Sequence, residues 1–129
     1  MPTNKRVLLV DDDPAFVKLY TFAFKQRGIN FLVANNGQEA LEKITVEKPD
    51  LVLLDIMMPG MSGFEVLMKL RQDNRYKSLP IWMLTNLGDD YGKDKSTDIG
   101  AQEYITKAST SPVIICDKIT NFFEGVSNT

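Results

Sequence analysis

Five short runs set the limits on this chain: Arg6–Val10, Ile29–Ala34, Leu51–Leu54, Ile81–Leu84 and Glu103–Thr106. Those opening at Arg6, Leu51 and Ile81 are nearly unbroken stretches of Val, Leu, Ile, Met and Trp, the pattern of strands buried on both faces. Each gap between runs is long enough for a crossover helix, and parallel strands require such crossovers. Asp13 and Pro14 are an N-cap and a first helical residue, so a helix is predicted from Pro14 to Arg27 with Phe16, Val17, Tyr20, Ala23 and Phe24 inward and Gly28 as its stop. After a turn at Asn35-Asn36-Gly37, Gln38–Glu47 reads as a helix on Ala40, Leu41 and Ile44, ended by Pro49. Phe64–Gln72 gives a third on Val66, Leu67 and Leu70. Asp89–Ile99 is a marginal helix, with Gly92, Ser96 and Thr97 as poor formers and only Tyr91 and Ile99 as sizeable apolar groups. Ser109-Thr110-Ser111-Pro112 caps a last helix through Val113, Ile114, Ile119, Phe122 and Phe123, and Gly125–Thr129 reads as a frayed tail. Alternating strands and helices predict an α/β class: a doubly wound, five-stranded parallel sheet with helices on both faces.

The 129 residues suit one domain, 1–129. With 15 basic and 17 acidic groups the net charge is −2, which argues against partners held by phosphate neutralisation, nucleic acid included. Val7–Val10 is too short for a signal core or a membrane span, so no membrane partner is expected. Cys116 is the only cysteine; it can form no internal disulfide, fits a cytoplasmic setting and reads as a structural thiol. The chain has no histidine, which removes His-based acid–base chemistry, Ser-His-Asp and Cys-His triads and HExxH metal sites.

Polar residues close the strands at their carboxyl ends: Asp11 and Asp12 after the first, Asp55 after the third, Thr85 after the fourth, Lys107 after the fifth. In open α/β sheets that edge holds the ligand. Asp13 accounts for the first helix cap, leaving Asp11 and Asp12 unexplained, and Asp55 precedes Ile-Met-Met-Pro rather than a helix start. Converging carboxylates repel by roughly 4 kcal/mol per pair at about 4 Å and an effective dielectric of about 20. A hard cation, Mg²⁺ or Mn²⁺, would offset that repulsion, and Lys107 adds a mobile positive charge. Metal, lysine, hydroxyl and carboxylate together suit phosphoryl chemistry with an aspartate nucleophile.

Val10-Asp11-Asp12-Asp13-Pro14, the segment Leu53–Gly63 around Asp55, Leu84-Thr85 and Tyr104-Ile105-Thr106-Lys107 resemble, as an ordered set over nearly the whole chain, the receiver domains of two-component response regulators. The resemblance implies the flavodoxin-like strand order 2-1-3-4-5. It implies Asp55 as acceptor of a phosphoryl group from a histidine kinase or phosphotransfer protein, with Asp12 as a direct Mg²⁺ ligand, Asp11 acting through water or by shaping the pocket, and the Met57 backbone carbonyl completing the set. Thr85 would hydrogen-bond the phosphoryl group, Lys107 would pair with it, and Tyr104 would report the movement of Thr85. The switched surface would be the fourth helix, fifth strand and fifth helix, a face for a downstream protein or a phosphorylation-dependent homodimer. Asn86 stands where the family usually has a small residue, and Ala108 where it has proline. Met57 and Leu87 occupy the positions that in the family line the approach of hydrolytic water, and both are apolar; the alternative is that Leu87 turns into the core and Met57 alone matters. Three alternatives compete: a degenerate receiver acting as a docking surface, an aspartate-nucleophile phosphatase, and a flavodoxin-like flavin binder. The phosphatase would need an acid–base Asp where Met57 stands; the flavin binder would need a Ser/Thr/Gly-rich first loop where Asp11–Asp13 stand.

Overall fold

The computed structural model describes residues 4–88 and 90–125 and, of Tyr91, the backbone alone. Its elements run β1 (Arg6–Val10), α1 (Pro14–Gln26), β2 (Asn30–Ala34), α2 (Gly37–Glu47), β3 (Leu51–Leu54), α3 (Gly63–Gln72), a 3₁₀ turn (Asn74–Tyr76), β4 (Ile81–Thr85), α4 (Asp90–Ile99), β5 (Glu103–Thr106), a 3₁₀ turn (Lys107–Ser109) and α5 (Pro112–Glu124). The strands pair in parallel in the order 2-1-3-4-5.

Alternate residues of the same strands serve two cores. Leu8, Val10, Val52, Leu54, Ile81 and Met83 meet residues of α2 and α3 on one face. Val7, Leu9, Leu51, Leu53, Trp82 and Leu84 meet residues of α1 and α5 on the other. Strands covered on both sides read as continuous apolar runs for this reason. Because α1 and α3 leave β1 and β3 toward opposite faces, a crevice opens between the carboxyl ends of those neighbouring strands.

Side-chain caps fix the helix starts. Asp13 accepts from the Ala15 N–H at 3.0 Å, as expected. Asn36 accepts from the Glu39 N–H at 2.8 Å, and Ser62 from the Glu65 N–H at 3.3 Å. These caps draw Gly37 and Gly63 into helices predicted to begin one residue later. Ser111 caps α5, while Gly125, at φ +73°, ends it. The predicted start of α4 at Asp89 and the tail beyond Gly125 lie outside the described residues.

The inward stripe of α5 is Ile115, Cys116 and Ile119; Val113 and Ile114 face solvent, contrary to a reading that grouped them with the apolar positions. Burial raises the Cys116 thiol above its ordinary value, consistent with a structural role. The segment between α3 and β4 depends on Arg71. Its guanidinium donates to the carbonyls of Gly100, Tyr76 and Leu79 and to Gln102 Oε1, tying the end of α3 to the segments that lead into β4 and β5. Among the described side chains of α4, Gly92 and Ser96 are the fully buried ones, and the Ser96 hydroxyl has no hydrogen-bond partner.

Candidate functional site

Main-chain pairing brings the acidic residues together. The Asp11 N–H donates to the Ala34 carbonyl at 3.1 Å and the Asp55 N–H to the Val10 carbonyl at 3.0 Å, so each aspartate continues the ladder one residue beyond its strand. Asp11 and Asp55 are buried, at 1% and 4% exposure, while Asp12 is open to solvent. One carboxylate oxygen from each of Asp11, Asp12 and Asp55 lies within 4.8 Å of the other two.

Lys107 enters from the end of β5. Its Nζ stands 2.6 Å from Asp11 Oδ2 and 3.4 Å from Asp55 Oδ2, and its side chain is 9% exposed. One ammonium faces three carboxylates. Asp11 Oδ2 is sealed from solvent and has no well-aligned hydrogen-bond donor; its contact with Lys107 is an ion pair without good bonding geometry. The other Asp11 oxygen accepts from the Asp13 N–H at 2.9 Å. Burial, outweighing Lys107 and this backbone donor, lifts the Asp11 carboxyl above its ordinary value. The donor set is all oxygen and carries negative charge that the single Lys107 ammonium does not balance, so it fits a hard divalent cation.

A raised carboxyl binds its proton more tightly in the native state than in the unfolded chain. Stability from this group is therefore full below the unfolded value of 3.8 and is lost as pH rises through the higher folded value. In chelator, Asp11→Asn should be more stable than the parent at neutral pH, with the difference shrinking in acid. Urea unfolding at several pH values checks this. A difference independent of pH would contradict the assigned cause.

The remaining expected positions fall around the carboxylates. The Met57 N–H donates to Asp55 Oδ1 at 3.3 Å, and Met57 is 58% exposed. Thr85 is fully buried, and its Oγ1 accepts from the Leu87 N–H at 3.2 Å. The Tyr104 hydroxyl donates to the Leu87 carbonyl. The backbone of Leu87 thus carries a hydrogen bond from each side, linking Thr85 to Tyr104. Its side chain is half-buried against the α2/α3 core, the second of the two orientations left open for it by the sequence. A leucine there gains more from burial than from an open crevice. Asn86 is exposed beside Lys107 and Ala108 in a cavity of about 380 Å³. Past Lys107 the chain forms a 3₁₀ turn with no cis peptide bond among the described residues.

Two neighbours were missed by sequence reasoning. Gly63 lets α3 start directly against the backbone of Asp55 and Ile56. Phe16, read simply as a core residue, holds its ring under Lys107, with Nζ 4.0 Å from the ring centroid.

Among known proteins, the family model described as the response regulator receiver domain matches residues 7–118. The chain is 39% identical over 104 residues to the alkaline phosphatase synthesis transcriptional regulatory protein PhoP of Bacillus subtilis, covering 81% of this chain and 42% of that protein. It is 40% identical over 104 residues to the phosphate regulon transcriptional regulatory protein PhoB of Pseudomonas aeruginosa, covering 81% and 45%. The chain therefore spans less than half the length of these curated relatives. Among solved structures, a CheY-like response regulator receiver domain protein from Methanospirillum hungatei superposes with a TM-score of 0.85 at 29% identity, covering 95% of this chain and 96% of the other. The BeF3-activated receiver domain of Klebsiella pneumoniae RstA gives 0.81 at 34% identity, covering 90% and 96%. Family model, relatives and fold agree with the acidic crevice: this chain belongs to the response regulator receiver domain family.

Proposed function

We propose that the domain is a phosphorylation-controlled switch in which Asp55 accepts a phosphoryl group from a phosphohistidine on a partner kinase or phosphotransfer protein. The observation that carries this reading is the Asp55 carboxylate at the crevice, 3.4 Å from Lys107, with oxygens of Asp11 and Asp12 close by. These 129 residues contain no histidine, so the donor histidine lies outside them. An Asp55 Oδ atom bonds to phosphorus as the phosphorus–nitrogen bond breaks; the electron pair stays on the imidazole, which then takes a proton. Asp11, Asp12, Asp55 and the Met57 carbonyl would hold Mg²⁺ or Mn²⁺. When bound, the cation supplies neutralisation of phosphoryl oxygen charge. Lys107 supplies a second positive charge, and the Thr85 hydroxyl can turn from the Leu87 N–H toward a phosphoryl oxygen.

That turn frees the Leu87 peptide, to which Tyr104 is bonded, so β5 and α4 receive the signal together. The α4–β5–α5 face would then meet a downstream protein or a second copy of the chain. The matched relatives are transcriptional regulators, which supports a role in transcriptional signalling. Incubation with acetyl phosphate and Mg²⁺, followed by intact-mass measurement, tests the reading. An alkali-labile gain of one phosphoryl group is expected. No adduct in the folded, metal-loaded protein would favour a degenerate docking domain instead.

Buried Gly92 and the unpartnered Ser96 hydroxyl make α4 the weakest helix, since an unsatisfied buried hydroxyl costs about 1–3 kcal/mol. Its amides should exchange faster than those of α1 and should change most on phosphorylation. Equal protection of both helices, before and after labelling, would contradict the proposed switch.

With Leu87 turned into the core, the water path falls to Met57. Met57→Asn offers a hydrogen bond to attacking water and should speed loss of the phosphoryl group by roughly two- to tenfold. Leu87→Glu should reduce stability instead. Decay rates and urea midpoints of the two variants separate these outcomes.

A further inference from the structure

We infer that Phe16 is a positioning residue for Lys107, its ring forming a cation–π platform that keeps the ammonium within reach of Asp55. This deepens the phosphoacceptor reading and rests on it. Lys107 reaches the crevice on a flexible four-carbon stem, and its ammonium is a point charge with no fixed fork to orient it. Asp11, at 2.6 Å, is the nearer carboxylate; Asp55 is 3.4 Å away. A lysine answering only to these two charges could settle on Asp11 and leave the acceptor. The ring supplies a third attraction, from the α1 side, with Nζ 4.0 Å from its centroid.

Phe16 cannot easily swing aside. It stacks on Tyr20 with centroids 4.2 Å apart and planes at 23°, and Tyr20 is 2% exposed. Tyr20 meets Phe24 edge-on at 6.4 Å, and Phe24 packs on Phe31 at 5.7 Å. The platform is therefore the end of an aromatic row anchored in the core between α1 and β2. Its other effect is to exclude water, since the lysine side chain is only 9% exposed and cation–π attraction grows with desolvation. Held at 2.6 Å by Asp11, 3.4 Å by Asp55 and 4.0 Å by the ring, the ammonium has little room to move. A phosphoryl group arriving at Asp55 can then draw it in without a search over rotamers.

The test varies the ring's electron density at nearly constant shape. The chain has seven phenylalanines, so singly, doubly and triply fluorinated phenylalanine is introduced at position 16 alone. Labelling by acetyl phosphate with Mg²⁺ is timed; Asp55 Oδ bonds to phosphorus as the phosphorus–oxygen bond to the acetyl group breaks, and acetate leaves with the pair. The labelling rate should fall stepwise with fluorination, with Phe16→Leu about fivefold slower than the parent and Phe16→Trp restoring the rate. Lys107 ε-methylene proton shifts in the untreated chain supply a second readout. They should lie upfield in the parent and in Phe16→Trp, and move downfield in Phe16→Leu. A labelling rate indifferent to fluorination in a parent that labels normally would overturn the positioning role while leaving Asp55 as acceptor. A parent that takes no label overturns the acceptor reading. The methylene shifts then decide whether Phe16 holds Lys107 at all, and their equality in parent and Phe16→Leu would overturn that too.

Discussion

Asp55→Asn should fold, pair Lys107 with Asp11 and take up no phosphoryl group. The substitution changes one oxygen to an amide nitrogen in a side chain that is 4% exposed, so packing around β3 is preserved. What is lost is the nucleophile: an amide oxygen cannot form a stable acyl phosphate, and the rate of covalent uptake should fall by more than about a thousandfold. The same change removes one charge from a crevice holding three carboxylates and one ammonium, so the metal-free variant should be the more stable protein. Mg²⁺ should bind it more weakly than the parent. Intact-mass spectra after acetyl phosphate treatment, with urea unfolding in chelator, check both. Uptake equal to the parent would move the acceptor to another residue, and a loss of metal-free stability would show that the carboxylate charge is already neutralised.

Gly63→Ala should produce the largest structural effect among Gly→Ala changes at the seven glycines whose surroundings are described. A Cβ at that position would lie 2.2 Å from the Asp55 carbonyl oxygen and 2.7 Å from Ile56 Cα, both backbone atoms that no side-chain rotation can clear. Gly63 also donates its N–H to the Ile56 carbonyl at 2.9 Å, so the first turn of α3 is fastened to the segment following Asp55. Relief requires α3 or the Asp55–Met57 backbone to shift, and destabilisation of about 3 kcal/mol is expected. Labelling should fall with it, because the displaced backbone carries both the acceptor and the Met57 N–H that bonds to it. Gly28 and Gly60 offer the contrast. A Cβ at either meets nothing within 4 Å, and their positive φ angles make strain, rather than collision, the cost of substitution. Urea midpoints and labelling rates of Gly63→Ala and Gly60→Ala separate the two kinds of requirement.

What could be read from the sequence follows from which forces are local. Apolar runs located β1, β3 and β4, and Asp13 with Pro14 located the start of α1, because burial period and capping chemistry are carried by adjacent residues. The convergence of Asp11, Asp12, Asp55 and Lys107 was also legible, since strand ends in a parallel sheet share one edge. Arg71 was not: its partners are carbonyls of Tyr76, Leu79 and Gly100, groups present at every residue and brought to it only by the fold. Gly63 stands just before the predicted start of a helix at Phe64, and the backbone pressed against it as it opens α3 is visible only in three dimensions. Leu87 stayed open between crevice and core, because spacing from Thr85 places a residue beside the crevice without fixing which way its side chain turns. Val113 and Ile114 misled for a related reason: both precede the Ile115, Cys116 and Ile119 stripe and fall off its helical face.

The claim that Asp55 carries the signal is tested most directly by locating the modified atom. Borohydride reduces an aspartyl phosphate to homoserine and leaves free carboxylates untouched. The chain treated with acetyl phosphate and Mg²⁺, reduced and sequenced by peptide mass spectrometry, should show homoserine at position 55 and at no other aspartate. Homoserine at position 11 or 12, or none in a protein shown by its melting curve to be folded and to bind Mg²⁺, would contradict the assignment of Asp55 as the phosphoacceptor.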